Sequence, residues 1–168
     1  IRIFYMVNLM SAQNNFLINQ ASKHISIADN GGMKFGSMIP LVGFIFDVTS
    51  LTLLDSANNT LDVLQEKIKN FGITPEQEKK INKVKIKGLK AQRWYAIKGA
   101  VMNSACLIAL VALVVLGLAS PTNAIVGAAI ILAMLVYCIV RAVKLADQVL
   151  DKKASAINVK AECSIKSE

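Results

Sequence analysis

Between Lys98 and Arg141 the chain carries no charged side chain, a run of 42 residues. A helix needs about 20 apolar residues to cross a bilayer. This run holds two such helices and a short reversal, with Gly99 to Ala119 as one arm and Ala124 to Val140 as the other. Apolar residues make up 54% of the 168 and charged residues 18%, so the apolar excess is concentrated here. The expected fold is all-α: a membrane helical hairpin of two transmembrane helices, preceded by amphipathic helices.

The flanks of the run predict its orientation. Lys83, Lys87, Lys90, Arg93 and Lys98 precede it, Arg141 and Lys144 follow it, and the reversal has no basic residue. Basic residues collect on the cytoplasmic side of membrane helices. Both termini are therefore expected on that side. Trp94, Tyr95 and Tyr137 fall where an antiparallel pair would place them at one interface, as an aromatic belt. Ser120-Pro121-Thr122-Asn123 reads as the tight turn.

Small residues predict how the arms meet. Ala105, Ala109 and Ala112 are expected to line one side of the first. Ala124, Gly127, Ala128 and Ala133 offer small-residue spacing on the second. Helix association in lipid relies on such close approach. Asn103 has two readings, a bond across to the second arm near Tyr137 or Cys138, or a hydrated position near the interface.

Along the chain three regions are expected: amphipathic helices over 1–74, a long basic helix from 75 that continues into the hairpin to 154, and a polar tail over 155–168. The opening Ile1 to Val7 has one charge and a short apolar run, less than a signal peptide needs. A helix over about 5–27 is broken by Asp29-Asn30-Gly31-Gly32. Ser37 and Pro40 suggest the cap and first turn of a helix running to about residue 70. That helix keeps an apolar stripe at Leu51, Leu54, Leu61, Leu64 and Ile68, opposite Asp55, Asp62 and Glu66. Asp47, among greasy neighbours, is a possible buried acid. Gly72, Thr74, Pro75 and Gln77 mark one helix end and the next start.

The net charge of +8 arises largely from residues 79–98, where no acid occurs. Such a stretch suits anionic headgroups, at about 1 kcal/mol per basic residue near the surface. A solvated helix face is the plainer reading. Nucleic acid is not expected, since no recognition motif accompanies the lysines. Cys106, Cys138 and Cys163 fit no zinc spacing and, as an odd number, no closed disulfide framework. His24 stands without Cys or carboxylate at ligand spacing, and no phosphate-binding, dinucleotide or nucleophile motif appears. No cofactor or metal is expected, and the role is expected to be non-enzymatic. A protein partner is expected, and self-association is left open.

Two architectural resemblances follow. The hairpin with both ends on one side looks like the bilobed hydrophobic hairpins of bacterial inclusion-membrane proteins, over residues 96–146 alone. That resemblance implies a hairpin-anchored scaffold, effector or accessory subunit. Amphipathic helices followed by a long apolar hairpin also resemble the pore-forming domain of colicins. That implies the alternative, a membrane-inserting toxin or channel. The chain departs from the colicin pattern in the long segment, Asp147 to Glu168, that follows the hairpin.

Overall fold

The computed structural model describes residues 2–39, 43–71 and 75–165. All of its regular structure is helical: α1 (Arg2–Ala28), α2 (Gly31–Gly36), α3 (Gly43–Phe71), α4 (Pro75–Val115) and α5 (Pro121–Ile165). The chain divides into two compact units. One comprises Ile1–Ala91 with Val149–Glu168, the other Gln92–Gln148. The division falls inside α4 and α5 rather than at a loop.

The first unit is a helical bundle with its own core. Ile18, Ala21, Ile25 and Ala28 of α1 are buried, spaced three and four apart along one stripe. On α3 the buried stripe is Ser50, Leu54, Ala57, Leu61 and Leu64, and α4 adds Ile81. Alternating spacings of four and three keep one side of each helix inward. Fully burying a Leu or Ile contributes about 1.5–3 kcal/mol, so these few side chains dominate the bundle's stability.

Polar contacts fix the directions of the helices. Gln77 Nε2 donates to Ser11 Oγ at 3.1 Å, joining the first turn of α4 to the first half of α1. Further along α4, a Cβ at Gly88 would lie 3.0 Å from Ile25 Cδ1 and 2.9 Å from Asn58 Oδ1. α1 and this part of α4 therefore run parallel. Lys85 is buried, and its ammonium bonds Asp62 and, at 2.6 Å, Gln65 Oε1. Together with the Gly88 approach, these contacts make α3 antiparallel to α4.

Several boundaries differ from expectation. Asn30 does not simply break the chain: its side chain accepts from Gly32 N at 3.0 Å and caps the six-residue α2. Ser37 closes α2 instead of opening α3, donating its hydroxyl to Lys34 O at 2.7 Å. The expected Pro40 start and the Gly72–Thr74 punctuation lie outside the described residues, though Pro75 is the first residue of α4. The reversal after α4 comes earlier than Ser120. Gly117 has φ 69°, Gly117 N donates to Val114 O at 3.0 Å, and Leu118 N donates to Leu113 O at 2.9 Å. This is a Schellman closure, which needs a left-handed residue and finds glycine. Ser120 then caps α5 through a 3.4 Å bond from Asn123 N, and Pro121 takes the first helical position. At the far end α5 runs to Ile165, past the expected stop near Ala154. No Gly or Pro lies between Arg141 and Ile165 to end it.

Candidate lipid-facing surface

In the second unit many of the large apolar side chains are exposed. Ile108 is 72% exposed, Leu118 73%, Ile125 71% and Ile130 58%, with Val111, Val126, Met134 and Val136 also exposed. Both α4 and α5 contain an 18-residue window long and apolar enough to cross a membrane, and neither window is buried within the chain. From Gly99 to Val115 α4 rises about 26 Å, and from Pro121 to Val140 α5 rises about 30 Å. These lengths approach the roughly 30 Å hydrocarbon thickness.

Backbone and side-chain polarity in these helices is satisfied locally. Ser104 Oγ donates to Ala100 O at 2.9 Å, and Asn103 Nδ2 to Gly99 O at 2.8 Å. Asn103 Nδ2 also reaches Cys138 Sγ of α5 at 3.9 Å, so of its two readings the cross-helix bond is the one found. The two helices also come close at the same level. A Cβ at Gly99 would lie 2.9 Å from Cys138 Sγ. Nearer the turn, a Cβ on Gly127 would meet Leu110 Cδ2 at 3.4 Å, an ordinary contact.

The half-buried stripe on α4 is Asn103, Leu107, Leu110 and Val114, and on α5 Ala124, Ala128, Ile131, Leu135 and Cys138. The spacing of three and four is that of a coiled-coil seam. Of the expected packing residues, Ala124, Gly127 and Ala128 are half-buried, whereas Ala105, Ala109, Ala112 and Ala133 are exposed. On α4 the inward stripe is set by Gly99 and Asn103, and the three alanines sit on another side of the helix. Asn103 was the available signal, because Leu107, Leu110 and Val114 share its face.

The flanking residues divide as well. Lys83, Lys87, Lys90, Arg93 and Lys144 are exposed and Arg141 is half-buried, its Nη1 donating to Tyr137 Oη at 3.2 Å. Lys98 is buried and is not without a partner, unlike an open collar residue. Tyr137 is exposed, Trp94 half-buried, and Tyr95 buried with its ring 5.0 Å from Trp94 in an edge-to-face pair. Asp47 is half-buried rather than enclosed, and it too is not without a partner. Among the described residues no three His, Cys, Asp or Glu side chains gather where a metal could sit. Cys106 is an exposed free thiol and Cys138 a half-buried one.

No family model, curated protein or solved structure matches the chain.

Proposed function

We propose that the chain is a non-enzymatic integral membrane protein, in which α4 and α5 form a transmembrane hairpin that anchors the helical bundle at a membrane surface. Both termini lie on the cytoplasmic side, and the bundle serves as a scaffold, an effector or an accessory subunit that recruits a protein partner. The observation that carries this reading is the exposure of large aliphatic side chains all along Gln92–Gln148. Soluble monomers rarely expose a contiguous apolar patch beyond a few hundred Å². In lipid the same surface has no such cost, and helices satisfy their backbone groups internally. The exposed Lys83, Lys87 and Lys90 supply charge suited to anionic headgroups.

The alternative, a toxin soluble before insertion, requires that other helices cover the hairpin. Fractionation tests the choice. After alkaline extraction of membranes from cells expressing the full chain, a resident hairpin stays in the pellet and requires detergent to dissolve. A chain purified in soluble form without detergent, and releasing dye from liposomes, belongs to the toxin reading.

A further inference from the structure

At the charged end of the second unit, α4 and α5 leave an open groove of about 280 Å³ between them. Ile97, Ala100 and Val101 line one wall, Ile139, Ala142, Val143 and Ala146 the other, and Arg93 stands at the mouth. Alanines at 100, 142 and 146 leave the space, because their side chains are too short to fill it. The volume is slightly below that of drug-sized sites, and the walls are almost wholly aliphatic. A chain segment suits it better than a polar metabolite.

The charge at the mouth is available. Arg93 is exposed and makes no hydrogen bond or ion pair among the described residues. Asp147, which follows the last lining residue, forms no ion pair with it there. A guanidinium offers a planar fork of donors that matches a phosphate in two-point fashion. Arg93 and Val101 are eight residues apart on α4, about 12 Å along the helix. The groove thus passes from a cation to a neutral apolar floor over the distance that separates a phospholipid's headgroup from its upper acyl chain.

We infer that this groove is a binding site for one anionic phospholipid, its phosphate on Arg93 and an acyl chain against Ala100, Val101, Ala142 and Val143. The inference rests on the transmembrane reading and adds a defined lipid to it. Charge complementarity favours an anionic lipid over a second copy of the chain, because two copies meeting here would bring their Arg93 side chains together.

Trp94 is the chain's one tryptophan and adjoins Arg93, so its fluorescence reports the site. The full chain is reconstituted in zwitterionic vesicles doped with acyl-brominated phosphatidylglycerol or, in the parallel arm, acyl-brominated phosphatidylcholine. Brominated phosphatidylglycerol should quench Trp94 with about fivefold preference over the choline lipid at equal mole fraction. Arg93→Gln should reduce the preference to the lower level that the collar lysines supply and leave the quenching by phosphatidylcholine unchanged. Ala142→Leu, which fills the groove with all charges retained, should lower the preference as well. Equal quenching by both lipids in the unaltered protein overturns the site and leaves the transmembrane reading intact. Quenching by neither overturns both. A preference undiminished in Arg93→Gln, or a groove-filling variant that changes only the monomer–dimer ratio in detergent, also overturns the assignment.

Discussion

The two units solve opposite problems with the same secondary structure. In Ile1–Ala91 one aliphatic stripe per helix turns inward, with Ile25, Leu54, Leu61 and Leu64 almost wholly buried, while lysines, acids and some apolar side chains such as Leu9, Phe16 and Ile45 lie outside. In Gln92–Gln148 the large aliphatics turn outward, and the half-buried stripe includes small or weakly polar residues such as Gly99, Asn103, Ala128 and Cys138. The first arrangement is driven by removal of apolar surface from water. The second leaves that surface open and pairs its helices through a narrow seam of large and small side chains, the pattern expected of helices in lipid. One chain thus carries two inside-out versions of helix pairing, with the change of rule falling within continuous helices.

The sharpest way to break this contrast is to cut an aliphatic side chain in each unit. Leu61→Ala should destabilise the bundle by about 2–5 kcal/mol, through lost burial and the cavity left behind. Ile130→Ala, on the exposed face of α5, should leave the thermal midpoint in detergent within a degree or two of the unaltered chain. Comparable losses in both variants would show that Ile130 is covered by protein and that the contrast is false.

A charge on the outward face should have the next largest effect. Val111→Arg should cost about 2.5–3.5 kcal/mol of insertion, seen as a falling fraction of chain retained after alkaline extraction. In water the same exposed change would be close to neutral or would aid solubility. An unaltered pellet fraction would therefore count against lipid at that position.

Asn103→Leu offers the finest probe. It removes the bond to Cys138 Sγ, and interhelical hydrogen bonds in membranes average about 0.6 kcal/mol. The midpoint in detergent should drop slightly. A loss several times larger would make Asn103 the principal clasp of the two helices, beyond the role given to it by the Gly99–Cys138 approach.

Much of this contrast is readable before any coordinates, for different reasons in the two units. The bundle's stripe at Leu54, Leu61 and Leu64 follows from opposing acids at Asp55, Asp62 and Glu66, which mark the wet side. The two apolar helices follow from the absence of charge over residues 99–140. What a uniformly apolar helix hides is its rotation. With apolar residues on all sides, Ala105, Ala109 and Ala112 look as eligible for the seam as Leu107 and Leu110. Asn103 alone breaks the tie, because a polar side chain in such a helix is best satisfied against its neighbour. Close approaches are hidden in the same way. Gly88 and Gly99 read as weak points in a helix, yet each marks where another helix comes within reach of a single added carbon. The burial of Tyr95 and Lys98 and the existence of α2 depend on tertiary contact or one short cap, and periodicity carries neither.

Cys106 provides the most direct test of what surrounds Gln92–Gln148. It is exposed on α4 within the uncharged run. Membranes containing the intact protein are treated with a water-soluble, membrane-impermeant maleimide, and modification of the Cys106 peptide is read by mass spectrometry before and after dissolving the bilayer in sodium dodecyl sulfate. A lipid-embedded helix predicts no modification before dissolution and complete modification after it. Full modification of Cys106 in the untreated state would place water within the uncharged arm of α4 and contradict the account.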